Sequence, residues 1–326
     1  HPPQVTQIAR DLPDGDGTLP NGRYPVTVGE AVGAFPTDTS ERSHRATPDG
    51  RGSAERLINV CDVTHGYPTL REGRKTVLDG FDLELYAGNR VALVGANGTG
   101  KSTLLRLLTG LESPDHGTVT VLGDDTNDTL SEELAEETVY IHQNPEEMFV
   151  EETVREDIAY YLRSRDAPEI DERVENVVEF LNLETIADRD GRLLSIGQQR
   201  RASLAIGLAT DPTIVLLDEP TGSLDLESRR EVTQMLSRSA SKTETIVIAT
   251  HDLQLVAEWA DRVVVLGPDG ILADETPRSV FERPELLDRA HLRPPQVVEL
   301  SDRLGVDPLS LTTAEIVDRL RTEGVQ

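Results

Sequence analysis

The chain has 326 residues, a formal net charge of -27 at pH 7 and a pI near 4.6. This length allows two domains or one large domain with appendages, and we favour the second arrangement. The acidic excess argues against a nucleic-acid-binding protein, because such a surface is a basic patch and none is visible in the sequence. The composition is instead typical of proteins from salt-adapted organisms, where high ionic strength screens self-repulsion.

Cysteine content and hydropathy exclude two further classes of protein. Cys61 is the only cysteine, so an intrachain disulfide and a cysteine-cluster metal site are both excluded. No run of 18 apolar residues occurs, which is the length that a membrane-spanning helix needs. No signal-peptide pattern opens the chain, which begins at His1 without a methionine, and its true start is left open.

Residues 1–53 are rich in Pro, Gly, Asp, Ser and Thr and have no sustained period of 2 or 3.6. This composition predicts a low-complexity, disordered tail, within which residues 23–28 could form one strand. The pattern changes at residue 54. Residues 56–63 and 76–85 alternate apolar with polar side chains, as half-buried antiparallel strands do.

A strand, a glycine-rich loop and a helix follow. Residues 90–94 are apolar, residues 95–102 match G-x-x-x-x-G-K-[ST], and residues 103–108 have helical spacing. The glycines let successive N–H groups point inward, and the helix adds its positive N-terminal end. We predict a phosphate-binding loop in which Lys101 reaches the β- and γ-phosphates and Ser102 ligates Mg²⁺. The predicted contacts are Gly95, Ala96, Asn97, Gly98, Thr99, Gly100, Lys101, Ser102 and Thr103.

Residues 117–123 and 138–142 predict two further strands, the second ending at Gln143. The next stretch, about residues 145–200, is acidic at first and helical in period, and we expect it to be a helical insertion. Thr153 and Glu156 fit a capping box that starts a helix there.

A second helix is predicted over residues 171–181 of the insertion. Ser195 and Gln198 then have the spacing of a reciprocal N-cap at the start of another helix. A capped helix N-terminus is a second place to hold phosphate.

Three apolar runs then occur at residues 213–217, 245–250 and 262–266. The first ends at Asp218 and Glu219 and the second at His251. Strands that are apolar on both faces are central strands of a parallel sheet, and α/β ligands bind at the carboxyl ends of such strands. Together with the intervening helices, these runs predict a doubly wound parallel sheet.

The order of these motifs, over about residues 56–280, resembles that of ATP-binding-cassette (ABC) ATPases. The family's order is aromatic stacker, phosphate loop, glutamine loop, signature, acidic strand, aspartate loop and switch histidine. Here these are Tyr67, residues 95–102, Gln143, residues 194–198, residues 214–219, residues 223–225 and His251. The resemblance implies an α/β P-loop NTPase with a RecA-like parallel-sheet core, an antiparallel β subdomain, the helical insertion and a small C-terminal helical appendage. We expect the ATPase domain over residues 54–280 and the appendage over residues 281–326.

The resemblance also implies roles for single residues in hydrolysis of ATP with Mg²⁺. Tyr67 would stack on adenine, although an aromatic residue after a strand is more often part of a core. Asp218 would hold Mg²⁺, and Gln143 would touch the metal and the lytic water. Glu219 would polarise that water, and His251 would contact the γ-phosphate.

In this family one protomer's signature closes on the ATP held by its partner, so the resemblance implies a head-to-tail dimer with a second ABC ATPase subunit. Ser195, the backbone of Gly197 and Gln198 would contact the partner's nucleotide, and Asp225 of the aspartate loop would also bind nucleotide. Ile196 departs from the family pattern, which has glycine there. A β-branched side chain at that position puts the close approach of the loop in doubt.

Two segments narrow the subfamily. Residues 143–154 and 292–300 are similar to segments of energy-coupling-factor (ECF) importers, including the cobalt-type ones. Thr312 and Glu315 fit another capping box in the C-terminal appendage, which in that family contributes to dimerisation. The alternative is an uncommitted tail helix. Residues 148–150 resemble a groove for the coupling helix of a membrane partner, or else they cap the core of the insertion.

We therefore expect an ATPase subunit that lies peripherally on the cytoplasmic face of the cell membrane. It would drive uptake of a vitamin or a transition-metal ion, such as cobalt, nickel or a biotin-like cargo, through separate integral membrane subunits. One alternative is the nucleotide-binding subunit of another ABC importer or exporter. Another is a soluble ABC ATPase of DNA repair or translation. A nucleotide-binding regulator without turnover is disfavoured by Glu219 and His251. The sequence leaves the cargo, and homodimer versus heterodimer, open.

Overall fold

The structure is a computed structural model that describes residues 3–12, 18–19, 23–32, 34, 54–69, 73–240 and 243–323. The strands are β1 (Arg56–Thr69), β2 (Gly73–Tyr86), β3 (Arg90–Val94), β4 (His116–Val121), β5 (Asp124–Asp125), β6 (Thr138–Ile141), β7 (Ile214–Asp218), β8 (Thr245–Thr250), β9 (Arg262–Gly267) and β10 (Gly270–Glu275).

The first seven helices are α1 (Gln4–Asp11), α2 (Val28–Val32), α3 (Lys101–Leu108), α4 (Ser131–Glu137), α5 (Val154–Arg163), α6 (Ile170–Phe180) and α7 (Ile196–Leu208). They are followed by α8 (Leu226–Ser239), α9 (Leu253–Trp259), α10 (Pro277–Phe281), α11 (Pro284–Arg289), α12 (Gln296–Arg303) and α13 (Thr313–Glu323). Short 3-10 helices span Pro145–Met148 and Gly191–Leu193.

The strands form two sheets. The larger has the order β10-β9-β3-β8-β7-β6; its pairs are parallel except that β10 lies antiparallel to β9. The smaller is antiparallel, in the order β2-β1-β4-β5. Every residue of β7 and β8 is buried, as expected for central parallel strands. The predicted parallel-sheet core with separate antiparallel strands is therefore confirmed.

Hydrophobic cores cover both faces of the parallel sheet. On one face, Leu93 and Leu216 pack with α3 and the antiparallel sheet. On the other, Val215 and Ile248 pack with α7 and α8 and with helices of the insertion. Because both faces are covered, ligands can reach the sheet at the carboxyl ends of its strands.

The strand register brings three predicted site segments to one edge of the sheet. Val94 at the end of β3 lies opposite Thr250 on β8, and Asp218 at the end of β7 lies opposite Ala249. The phosphate loop, the acidic pair and the histidine therefore leave adjacent parallel strands at the same end.

The helices expected in the insertion are present. The Thr153 hydroxyl caps α5 by accepting a hydrogen bond from the backbone N–H of Glu156, and α6 buries Val174 and Val178. In the appendage, the Thr312 hydroxyl accepts from the N–H of Glu315, as predicted. The carboxylate of Glu315, however, accepts from the N–H of the preceding Leu311.

The beginning of the chain differs from the prediction of a disordered tail over residues 1–53. Residues 4–11 and 28–32 form α1 and α2, and residues 23–26 are irregular, so the strand considered for residues 23–28 is wrong. Val5, Ile8 and Ala9 are buried in one core with α12 and α13. A helix this short is not stable by itself, so tertiary packing stabilises it, which composition does not reveal. The part of the tail between residues 35 and 53 lies outside the described residues.

Candidate functional site: a nucleotide cleft

The phosphate loop joins β3 to α3. Gly100, the residue before α3, has φ 94°, in the left-handed region that favours glycine. A Cβ built there would lie 2.7 Å from the Leu78 side chain of the antiparallel sheet. Glycine is therefore required at position 100 for two reasons: the turn needs a positive φ, and the Leu78 side chain of β2 lies too close for a Cβ.

Lys101 is the first residue of α3, and only 6% of its surface is exposed. Its Nζ donates to the carbonyl oxygens of Gly95, at 2.7 Å, and Ala96, at 3.1 Å. Burial lowers the pKa of Lys101, whereas the nearby carboxylates of Glu219 and Asp218 raise it. The ammonium group is thus hydrogen-bonded to the phosphate loop and lies near the two carboxylates that end β7.

A cleft of about 610 Å³ brings most of the predicted site residues together. It lies where the phosphate loop, the glutamine loop and the ends of β7 and β8 meet. The predicted residues that line it are Tyr67, Asn97, Gly98, Gly100, Lys101, Ser102, Thr103, Gln143, Asp218, Glu219 and His251. Gly95, Ala96 and Thr99 belong to the same loop but do not line the cleft.

The acidic pair ends β7. The Tyr140 hydroxyl donates to Asp218 Oδ2 at 3.2 Å. Burial, followed by the Asp218 charge, raises the pKa of Tyr140, so this tyrosine stays a donor. Glu219 Oε2 accepts from the Thr250 hydroxyl at 3.1 Å, and Glu219 Oε1 lies 2.8 Å from His251 Nδ1. Asp218 and Glu219 are both buried, and both line the cleft.

Glu219 and His251 therefore form a pair across neighbouring strand ends. The Glu219 backbone has φ 47°, a left-handed conformation that is uncommon for a residue with a side chain. Its N–H donates to the carbonyl of Ala249 at 2.8 Å, which ties this conformation to β8. The carboxylate is thereby fixed by backbone and side-chain contacts together.

Tyr67 lies near the end of β1 and borders the cleft. Its hydroxyl donates to Glu112 at 2.6 Å and lies 3.2 Å from the Thr103 hydroxyl of α3. Burial and the hydrogen bond to Glu112 raise its pKa. The ring packs edge-on against His65, with centroids 5.2 Å apart. Tyr67 is half-buried, so it takes part in the packing of β1 on α3 and also borders the cleft.

The signature residues lie at the start of α7. Ser195 and Gln198 form the predicted reciprocal cap: the N–H of Gln198 donates to the serine hydroxyl, and the N–H of Ser195 donates to Gln198 Oε1 at 3.2 Å. Ser195 and Ile196 are exposed. Ser195, Gly197 and Gln198 do not line the cleft that contains Lys101.

Gly197 packs on the first turn of α8, which follows the aspartate loop. A Cβ built on Gly197 would lie 2.2 Å from Ser228 Oγ. The Ser228 hydroxyl and N–H both donate to Asp225, each at 3.0 Å, and Asp225 caps α8. These bonds lower the pKa of Asp225. The signature therefore contacts α8 and its cap Asp225, whereas Ser223 of the aspartate loop lines the cleft that contains Lys101.

One residue that sequence reasoning missed is Arg200, which follows the signature by two positions. Its guanidinium group donates to the backbone carbonyls of His142, at 2.7 Å, and Gln143, at 2.6 Å. Burial lowers the pKa of Arg200 to about 10. A buried arginine directly after the signature could have drawn attention, but its partner loop is distant in sequence.

Of residues 148–150, Met148 and Phe149 are buried in the core of the helical insertion, and Val150 is 52% exposed. Burial of the first two agrees with the alternative that this segment caps the insertion. Within the part of the chain that the structure describes, no helix is long and apolar enough to cross a bilayer.

The donor set on the cleft fits Mg²⁺. Ser102, Asp218 and Gln143 all line it, and their side chains carry a hydroxyl, a carboxylate and an amide oxygen. These are hard oxygen donors of the kind that Mg²⁺ prefers, and the ion usually completes its shell with substrate phosphates and water.

Residues 78–222 match the family model described as ABC transporter. The chain is 34% identical, over 77% of its length and 63% of the relative's, to the energy-coupling factor transporter ATP-binding protein EcfA2 of Methanospirillum hungatei. It is 33% identical to a putative ABC transporter ATP-binding protein of Methanosarcina acetivorans, over 86% of this chain and 89% of that one. Three further curated relatives are longer, and the matched region spans only 43%, 46% or 49% of each. The chain thus spans about half the length of several curated relatives that it matches.

Two solved structures are similar. CbiO1 of Clostridium perfringens, part of the ABC transporter complex cbiONQ, has a TM-score of 0.64 and 26% identity, covering 76% of this chain and 99% of CbiO1. The ATP-binding cassette MJ0796, in a dimeric post-hydrolysis state with ADP and Pi, has a TM-score of 0.61 and 26% identity, covering 68% and 99%. Fold, motif order and relatives agree: this chain belongs to the ATP-binding proteins of ABC transporters and carries their ATPase cassette.

Proposed function

We propose that the protein hydrolyses Mg-ATP as the ATPase subunit of an ABC importer of the energy-coupling-factor type. The observation that carries the proposal is the convergence of Lys101, Asp218, Glu219 and His251 on one cleft. The relative EcfA2 and the neighbour CbiO1 support the subfamily. The cargo class would be a vitamin or a transition-metal ion, and the subunit would lie peripherally on the cytoplasmic face of the membrane.

The residues of the cleft supply positioning and charge. Lys101 would leave the carbonyls of Gly95 and Ala96 to bind the β- and γ-phosphates, since phosphate oxygens are stronger acceptors for an ammonium group. Backbone N–H groups of the loop and the N-terminus of α3 would hold the remaining phosphate oxygens. Tyr67 would contact the adenine base from the edge of the cleft.

Glu219 would accept a proton from the attacking water. Its carboxylate is held by Thr250 and His251, so its direction is set before ATP binds. His251 would then contact the γ-phosphate, because its side chain is 64% exposed and lines the cleft while Nδ1 lies 2.8 Å from Glu219 Oε1. Mg²⁺, held by Ser102, Asp218 and Gln143, would neutralise the charge that develops on the transferred phosphoryl group.

The position of the signature supports a composite site. Ser195 is exposed and does not line the chain's own cleft, so its hydroxyl is available to a second ATPase subunit. A head-to-tail arrangement would bring each signature to the other subunit's γ-phosphate. Integral membrane subunits would complete the transporter.

The chemical part of the proposal is tested with Glu219→Gln, which keeps the length of the side chain and removes the base. We expect ATP hydrolysis to fall by ~10²–10⁴ while ATP binding persists. Glu184→Gln, an exposed carboxylate on the insertion, is the matched control and should leave the rate unchanged. A Glu219→Gln protein that hydrolyses ATP at the parent rate would contradict the assignment.

The transport part requires a different measurement. The protein, purified from detergent-solubilised native membranes, should carry integral membrane subunits, and these should raise its ATPase rate. Recovery with no membrane protein at all would favour the soluble class of ABC ATPases. If the protein is recovered with membrane subunits that do not resemble those of energy-coupling-factor importers, an ordinary ABC importer or exporter is favoured.

A further inference from the structure

The first residues of the chain repeat a motif of the C-terminal appendage. Residues 2–5 read Pro-Pro-Gln-Val, and so do residues 294–297. In both places the second proline directly precedes a helix of eight residues, α1 or α12. Pro3 has φ -52° and ψ 156°, and Pro295 has φ -58° and ψ 154°, so the chain enters both helices in the same way.

The two helices bury the same positions. In each, the second, third, fifth and sixth residues are buried. They are Val5, Thr6, Ile8 and Ala9 in α1, and Val297, Val298, Leu300 and Ser301 in α12. The two helices therefore present equivalent faces to their surroundings.

The second helix of each segment begins with the same hydrogen bonds. The Thr27 hydroxyl accepts from the N–H of Glu30 at 3.2 Å, and the Glu30 carboxylate accepts from the N–H of Val26 at 2.9 Å. The Thr312 hydroxyl accepts from the N–H of Glu315 at 3.2 Å, and the Glu315 carboxylate accepts from the N–H that precedes Thr312 at 2.9 Å. Helices α1 and α2 thus form a second copy of the unit formed by α12 and α13, with a shorter second helix.

The two copies pack on each other reciprocally. Helix α1 packs on α13, α12 packs on α2, and α1 and α12 contact each other. This pattern is that of an isologous contact. The first helix of each copy meets the second helix of the other copy, as across a two-fold axis between identical subunits. The Gln4 side chain accepts from the N–H of Val297 at 3.2 Å, and Arg321 donates to the carbonyl of Asp11 at 2.6 Å. Ile8 and Ile316 are both fully buried in this shared core.

We propose that residues 3–32 are the appendage of a second cassette, and that the contact between the two copies is the one that pairs two cassettes. The proposal rests on the proposed function and on the dimerisation role that the resemblance to energy-coupling-factor importers implies for the appendage. It identifies the partner as a non-identical cassette whose own appendage is this N-terminal copy. The α12–α13 face is already covered, so a second copy of this chain cannot use it without displacing residues 3–32.

The lengths of the curated relatives support this partner. Three of them are about twice as long as the region that matches this chain. Each therefore has room for a second unit of the same size on one polypeptide.

Cross-linking of the full chain tests the contact. Asp11 and Arg321 are exposed at its edge, and Asp11→Cys with Arg321→Cys, in a Cys61→Ser background, can be bridged by a short bismaleimide. We expect the linked peptides within monomeric chains. Asp11→Cys with Glu184→Cys on the helical insertion is the control and should remain unlinked. Absence of the first link, or a link found only between chains, would overturn the proposal.

Hydrogen exchange and the association of chains distinguish a contact that pairs two cassettes from one that only attaches the N-terminal segment to the appendage. Ile8→Asp should raise exchange in α12 and α13 at least tenfold, and the released appendage should let identical chains associate without nucleotide. Ile8→Leu should do neither. Unchanged exchange in α12 and α13 would refute the proposal. ATP hydrolysis of the same samples, with and without Glu219→Gln, reports on the proposed function independently, so the two can fail separately.

Discussion

Replacing Arg200 with methionine tests whether the signature helix positions the glutamine loop. Arg200 lies on α7, and its guanidinium group spans the space to the carbonyls of His142 and Gln143. Methionine retains most of the apolar stem but none of the donors. The substitution therefore releases the backbone of Gln143 from α7 without opening a large cavity.

The effect on stability should be small, because two terms oppose each other. Two hydrogen bonds from a charged donor contribute about 1.5–3 kcal/mol each. A pKa lowered from its ordinary value to about 10 corresponds to about 3 kcal/mol against the buried charge. Water can reach the freed carbonyl of Gln143, which is exposed. We expect the free energy of unfolding of Arg200→Met to fall by no more than about 3 kcal/mol.

The effect on turnover should be larger. Gln143 lines the cleft beside Glu219, and a displacement of about 1 Å in a reacting group's surroundings can cost on the order of a hundredfold in rate. We expect kcat to fall about tenfold to a hundredfold, with little change in KM for ATP, because the Lys101 loop is untouched. Steady-state ATPase kinetics and chemical denaturation measure both quantities.

Arg201→Met is the matched control on the same helix. Arg201 pairs with Glu231 at 3.3 Å and is not among the residues that hydrogen-bond the glutamine loop. It should leave kcat unchanged, whereas Arg200→Lys should restore part of the loss. If Arg200→Met keeps the parent kcat, or if both arginine variants lower it equally, the positioning role is refuted.

Two further substitutions probe single contacts. Gly197→Ala should impair ATP hydrolysis and stability, since its Cβ would lie 2.2 Å from Ser228 Oγ; adding Ser228→Gly should restore both, and a neutral single variant would contradict the packing. Asp157 is fully buried, its Oδ1 accepts from two backbone N–H groups, and burial raises its pKa. The charged form of Asp157 therefore lowers the free energy of unfolding at pH values above its folded-state pKa, and this loss disappears as the pH falls through that pKa. Asp157→Asn should therefore raise Tm more at pH 7 than at pH 4. Thermal denaturation at the two pH values measures the change in Tm, and an equal change at both would contradict the proposed effect of the Asp157 charge.

Local patterns predicted most of the cleft. The phosphate loop, the acidic end of β7 and the Ser195–Gln198 cap depend on residues a few positions apart, and strand periodicity then placed them at one edge of the sheet. Arg200 could not be predicted in this way, because its partners are brought near only by the packing of α7 against the end of β6. The roles of the cleft residues stay predictions until they are measured.

The N-terminal helices illustrate a different limit. α1 and α2 are short, and the sequence around them is rich in residues that favour irregular structure, so a local rule predicts no helix. Their stability comes from a core shared with residues near the other end of the chain. The repeated Pro-Pro-Gln-Val was nevertheless visible in the sequence, and a search for internal repeats would have found it.

The left-handed backbone of Glu219 has a consequence for the evolution of this protein. A residue with a Cβ in that conformation carries about 1–2 kcal/mol of strain, which glycine would not. Glycine at position 219 would therefore relieve a local burden on the fold while abolishing the carboxylate that faces His251. With Glu219 as the proposed base, selection for thermal robustness alone would favour an inactive protein, and the acid persists there only while turnover itself is under selection.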